Sequence, residues 1–250
     1  MYPFKDEMVS IVISDQYQRK FLEDRLLIPS DEEDVPFLEW CQRSKFSDAL
    51  VVELVLLFSD PTYKPDDSFS DISIEEILLY IKESHQFYNH HYLKKLEQLN
   101  TVHHNIIDTS NKTNTICILM NQFISYFRKH IIEEETQLIP YIEFILLDQA
   151  KHLFRPSELF AVLCENQTAL YNEHDDHGKQ LLKLIQYKLQ QLSLQISNYD
   201  FQWSYYCHLI NTFFVDLTIH EYIEDNILLS KARQHEQIAL EKIRVQCRLN

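Results

Sequence analysis

The chain has 250 residues, 45% of them hydrophobic, with one glycine and seven prolines. That is enough to bury a sizeable core but too little turn material for tight hairpins or a glycine-rich phosphate loop, so an all-α fold is expected. The formal net charge of −15 argues against nucleic acid as a partner, because affinity for a phosphate backbone comes from the lysines and arginines this surface lacks.

In chain order, MYPFKDEMVS carries charge where a secretory signal needs an apolar run, and no stretch reaches the ~18 apolar residues of a membrane span. The five cysteines, Cys41, Cys117, Cys164, Cys207 and Cys247, are far apart, odd in number and without a CxxC pair. Free thiols in a reducing compartment follow, so a cytoplasmic protein is expected, with no membrane partner. FLEDRLLI and PFLEWCQRSKFSDALVVELVLLF, separated by the acidic run from Ser30 to Asp34, read as two or three short helices. Asp60 to Asp71 concentrates proline, Asp and Ser and reads as a linker. The boundary is placed within it, giving a small helical domain over 1–66 and a larger one over 67–250.

Four long helical patterns follow, over about Ile72 to Ile107, Thr115 to Ala150, Pro156 to Ile196 and Phe201 to Arg244. Ser70, Asp71 or Ser73 is placed to cap the first, with glutamates just beyond. Four helices of this length joined by short breaks predict an up-down-up-down four-helix bundle.

Each pattern carries one histidine on its apolar face, since positions three, four, seven and eight apart share a face. His85 goes with Leu78, Ile81, Tyr92, Leu96 and Leu99, and His130 with Phe123, Phe127, Glu134, Leu138 and Tyr141. His174 goes with Leu163, Leu170, Leu181 and Ile185, and His220 with Phe213, Leu217, Glu224, Ile227 and Leu228. A lone histidine on such a face is most often a hydrogen-bonded core residue. Four near one level, with two buried carboxylates one turn beyond two of them, are hard to satisfy without a cation. His103 is too far from His85, 18 residues or ~27 Å along a straight helix, to join them. His90, His91 and His104 fall off the phase, and His152 and His235 lie near helix ends, while His177 could assist His174 from one turn away.

Imidazole and carboxylate without cysteine suit iron, zinc or manganese. Two carboxylates bridging two ions give each ion two oxygens, and the histidines add two nitrogens. An oxo or hydroxo bridge then makes each ion five-coordinate and leaves a position for O2, NO or peroxide. The expected ligands are His85, His130, Glu134, His174, His220 and Glu224.

These residues resemble the hemerythrin-like bundle of the repair-of-iron-centres family of di-iron proteins. The family pattern H, three residues, E-E, two residues, L-F-P looks like HIIEEETQLIP, matching His130, Glu134 and Pro140. Its E-H-D motif with a following glycine is similar to NEHDDHGKQLL, matching His174 and Gly178. Its last motif looks like HEYIEDNILLSKA, matching His220 and Glu224, with Ser230 in place of a proline. The first-helix T-H-H-A-Y-L signature is met only loosely by SHQFY at His85, with His90 and His91 as the alternatives. FLEWCQRSKFSDALVVEL resembles the second half of the small domain that often precedes such bundles. That domain's Cys-Cys-Gly-Gly motif is missing, and the corresponding LLIPSDEEDV has no cysteine.

The resemblance implies two iron ions in a non-haem centre of the nitrosative and oxidative stress response, assisting repair of damaged iron-sulfur centres or reacting with NO, O2 or peroxide. Iron-sulfur proteins are then the implied partners, and an oligomer is left open. A hemerythrin-like O2 or iron sensor without turnover is the alternative. A ferritin-like oxidase needs Glu-x-x-His pairs that this chain lacks. A zinc hydrolase needs the second histidine of HExxH, absent after His220-Glu221.

Overall fold

The computed structural model describes residues 6–29, 34–60, 62–65, 67–106, 111–151, 154–165, 177–193 and 201–248. The described residues are all-helical, joined by turns and short irregular segments, with one isolated β-bridge between Met8 and Pro36 and no strand. Two compact units, Met1–Ser84 and His85–Asn250, divide the chain.

The first unit holds α1 (Val9–Val12), α2 (Gln16–Arg25), α3 (Phe37–Cys41) and α4 (Asp48–Ser59). Side chains fix where two of these begin. Asp15 accepts from the Tyr17 and Gln18 N–H groups, and Ser47 from the Leu50 N–H, answering donors that a first helical turn leaves open. Leu22, Leu26, Phe37, Trp40, Leu50 and Leu54 form its buried core. Arg25 is buried as well, and its guanidinium donates to the Tyr80 hydroxyl at 2.8 Å and to Ser84 Oγ at 2.6 Å.

Helix α5 (Ile74–Phe87) starts where Ser73 Oγ accepts from the Glu76 N–H at 3.2 Å, so of the three candidate caps it is Ser73 that serves. A widened π turn, Tyr88–Leu93, carries it into α6 (Lys94–Ile106). The pattern recurs twice. Helix α7 (Asn111–Glu133) passes through a π turn at Glu134–Leu138 into α8 (Ile139–Lys151). After α9 (Pro156–Glu165) and α10 (His177–Ser193), helix α11 (Phe201–Ile223) passes through Glu224–Leu228 into α12 (Leu229–Arg248).

Helix α6 packs on α7 and α11, α10 packs on the same two, and α8 and α9 pack on α12. Asn100 ties three of these together. Its amide donates to the Cys117 carbonyl at 3.0 Å and to Asn121 Oδ1 at 2.8 Å, and its own oxygen accepts from the Tyr206 hydroxyl at 3.2 Å. Between α8 and α12, Lys242 reaches the buried Asp148 at 2.8 Å and the Tyr141 hydroxyl donates to Glu236.

Within and beyond the π turns the expected apolar faces hold at Tyr92, Leu96, Leu138, Tyr141 and Leu228, all buried, and are corrected at Leu99 and Ile227. Each π turn puts an extra residue into one turn, so downstream side chains are offset by about one position from an unbroken 3.6-residue period. Leu99, expected to face inward, is half-exposed, and Asn100 is buried in its place. Ile227 is likewise half-exposed beside a buried Leu228. Upstream of the turns, Phe123, Phe127, Phe213 and Leu217 are buried as the period predicts.

The four described cysteines are free, and burial pushes the Cys41 thiol up to about 12. Among the described residues no helix is long and apolar enough to cross a membrane.

Candidate metal centre

Three helical rods bring their polar residues to one place inside the second unit. His85 comes from α5, three residues before a π turn, while His130 and His220 come from the last turns of α7 and α11. Glu134 and Glu224 are each the first residue of a π turn, and their carbonyls accept i+5 bonds from the Ile139 and Leu229 N–H groups. Such turns cost regular hydrogen bonding and recur at functional sites because they re-aim side chains.

His85, His220 and Glu224 are almost inaccessible, at 2%, 1% and 0%, and Glu134 is at 5%. Glu134 divides its oxygens. Oε2 lies 2.9 Å from His85 Nε2, and Oε1 lies 2.6 Å from His130 Nε2. Glu224 Oε2 is 3.6 Å from His220 Nε2, and the His85 and His220 rings are 5.3 Å apart, edge to face. Five of the six expected ligands therefore gather in one cluster; the sixth, His174, lies outside the described residues.

One ligand atom from each of His85, Glu134 and His220 lies within 4.8 Å of the other two. Ligands of one ion bonded at ~2.0–2.2 Å lie no more than ~4.4 Å apart, so the trio is of a size that side-chain movement can close on a single ion. The donor set fits a metal in charge as well. Burial opposes a charge on His85, but the adjacent Glu134, the hydrogen bond to Glu135 and the charge of Glu224 outweigh it and raise its pKa above the usual histidine value.

Two contributors have little trace in the sequence. Glu135 Oε1 lies 2.8 Å from His85 Nδ1, and because a carboxylate only accepts, the ring donates from Nδ1 and turns Nε2 toward the cluster. The run of three glutamates is the available signal, but on an unbroken helix only Glu134 shares the face of His130. The second is Asp216, one turn before His220 and fully buried, which accepts from the Tyr88 hydroxyl at 3.1 Å. An acidic residue inside the apolar run FFVDLTIH is its only sign.

Tyr88, whose ring lies 5.3 Å from that of His220, belongs to an aromatic layer with Phe127 and Phe213 at 5.7 and 5.4 Å. Phe123 and Tyr92 extend it, stacking on Phe127 and Phe213 respectively. These rings are all buried and give that side of the site an apolar wall.

The alternative first-helix ligands are placed elsewhere. His90 is exposed, its Nδ1 2.8 Å from the Gln86 carbonyl of its own helix, and His91 stacks on Phe87 at 4.5 Å. His235 pairs with Gln149. The side chains of His103, His104 and His177 and all of His152 lie outside what is described. Gly178 is buried, and a Cβ there would sit 2.7 Å from Tyr126 Cε1, so the ring occupies the space a side chain would need. That ring runs parallel to His130 at 6.3 Å.

A comparison with protein-family models matches none of them, and a comparison with curated proteins finds none similar to this chain.

Proposed function

We propose that this chain is a hemerythrin-like di-iron protein of the repair-of-iron-centres kind, built on an up-down-up-down four-helix bundle. It acts in the cytoplasm in the response to nitrosative and oxidative stress. The packing of α6 and α10 each against both α7 and α11 supports the bundle. The observation that carries the metal reading is the buried meeting of His85, Glu134 and His220, with His130 and Glu224 alongside.

His85, His130, His174 and His220 would supply the nitrogens, and Glu134 and Glu224 the carboxylates. The division of Glu134 between two histidines suits a bridge between two ions. Iron held by imidazole and carboxylate with open positions supplies one-electron chemistry with NO, O2 or peroxide. The chain's own part is to hold the His85 imidazole in place through Glu135 and to wall one side with the apolar Tyr88, Phe127 and Phe213 layer. Damaged iron-sulfur proteins are the proposed partners.

Metal analysis of protein loaded with excess iron and desalted tests the reading, with about two equivalents per chain expected. Retention of none sinks it. Reacting the reduced, loaded protein with NO or O2 then separates turnover from a sensor, which binds stoichiometrically and stops.

A further inference from the structure

We infer that Gly178 and Tyr126 are positioning residues for His130: the absent side chain at Gly178 lets the Tyr126 ring of α7 close onto α10, and that ring in turn sets the plane of the His130 imidazole. The consequence for metal binding rests on the metal-centre reading above, whereas the geometry of His130 does not.

Gly178 is the one glycine in 250 residues, and it lies within helix α10, although glycine is among the poorest helix formers. Its φ is not positive, so the position does not call for a backbone conformation that other residues avoid. What the glycine supplies is space. A Cβ there would sit 2.7 Å from Tyr126 Cε1 and 3.2 Å from Cδ1, closer than a methyl group tolerates. The ring thus takes the place of the missing side chain where α10 packs on α7.

Tyr126 stands one turn before His130 on the same face of α7. Helical side chains lean toward the N-terminus, so the imidazole leans back over the phenol ring. The two rings are parallel to within 7°, with centroids 6.3 Å apart, in the range of offset-stacked pairs. Phe127, the other ring beside His130 at 6.0 Å, is fixed in the buried aromatic layer. Tyr126 is only half-buried, so a methyl group at position 178 would push its ring outward rather than compress it. His130 Nε2 now faces Glu134 Oε1 at 2.6 Å, and an ion would take over that contact. Contact through the flat of the imidazole leaves Nε2 to the ion.

Proton NMR of the histidine rings in the metal-free full chain reads the geometry directly, because a neighbouring aromatic ring shifts the signal, and His130→Ala identifies the resonance. Gly178→Ala and Tyr126→Leu should both displace it, and Tyr126→Phe, which keeps the ring, should not. Anaerobic Fe(II) binding in competition with a chelator should weaken ~2–10-fold in the first two variants, the worth of one aromatic pair, and stay unchanged in Tyr126→Phe. In the Tyr126→Leu background, Gly178→Ala should add no further loss, since the ring through which it acts is gone. Urea unfolding of each variant separates these effects from lost stability.

An unmoved His130 resonance in folded Gly178→Ala overturns the inference and leaves Gly178 a role in packing alone. Equal losses of affinity from Gly178→Ala with and without the Tyr126 ring overturn it as well, because the glycine then acts by another route. If Gly178→Ala does not fold, Tyr126→Leu decides, and a His130 resonance that stays in place overturns the inference. A displaced resonance with unchanged iron affinity supports the positioning and takes His130 out of the ligands. An unaltered chain that binds no iron removes the metal reading, and the NMR comparison still decides the positioning.

Discussion

His85 Nδ1 and Glu135 Oε1 lie 2.8 Å apart, across 50 residues of sequence, and this contact decides which nitrogen of His85 faces Glu134. Carboxylates behind metal-bound histidines fix the tautomer and raise ligand basicity, and losing one costs ~10–100-fold in metal affinity. Glu135→Ala should weaken binding by about that factor. Glu135→Gln, whose amide oxygen still accepts from Nδ1–H, should weaken it less. Competition against a chelator measures both, and equal losses in the two variants would show that the orientation of His85 does not depend on this acceptor.

Glu134 lies against both His85 and His130, so Glu134→Ala should disturb every bound ion. His90 is exposed and bonded to its own helix, and His90→Ala should leave metal content unchanged. Metal per chain after desalting is the readout. Loss on removing His90 as severe as on removing Glu134 would mean that the first helix offers a different ligand. His103→Ala should also be silent.

The raised pKa of His85 sets the sign of two pH effects. In the metal-free protein the folded state favours the charged ring. Its contribution to stability is therefore complete below the unfolded value of ~6.5 and is lost as pH rises through the higher folded value. A metal ion needs the neutral ring and must displace that proton. Apparent affinity should thus increase as pH rises through the raised value, and near neutral pH binding should release protons, detectable by calorimetry in buffers of different ionisation enthalpy. The melting temperatures of loaded and metal-free protein should diverge with increasing pH. Binding without proton release near neutrality would mean that His85 is neutral before the metal arrives.

Tyr88→Phe removes the hydroxyl that donates to the buried Asp216 at 3.1 Å. Taking away one partner of a buried pair costs ~1–3 kcal/mol, and more when the partner is charged. Urea unfolding of the metal-free chain should show a loss of that order. No loss would indicate that Asp216 is fully satisfied without Tyr88.

The features legible in the sequence have short range along one helix. His130 with Glu134 and His220 with Glu224 are one α turn apart, and each pair ends at the first residue of its widened turn, so a simple period still finds them. The caps at Asp15, Ser47 and Ser73 are equally local. Asn100 and Glu135 escape such a period for one common reason. Nothing in YNHHYL or EETQL announces an i+5 bond, yet that bond sets the phase of the residues beyond it. Asp216 escapes it because its partner, Tyr88, is 128 residues away and pairs with it only through the tertiary fold.

The widened turns also change the effect of a missing residue. In an ordinary helix, deleting one residue forces everything beyond it out of register. Within Glu134–Leu138, deleting the exposed Gln137 would instead let the chain close as a continuous α-helix, locally more regular than before. Because the turn holds one residue more than an α turn, α8 would keep Tyr141, Ile142 and Ile145 on their buried face, and the change would fall on the turn that aims Glu134 and Glu135. The same holds for Asn226 in Glu224–Leu228, also exposed. The extra residue in these stretches therefore serves the aim of the carboxylates within the turn, not the packing of the helices beyond it.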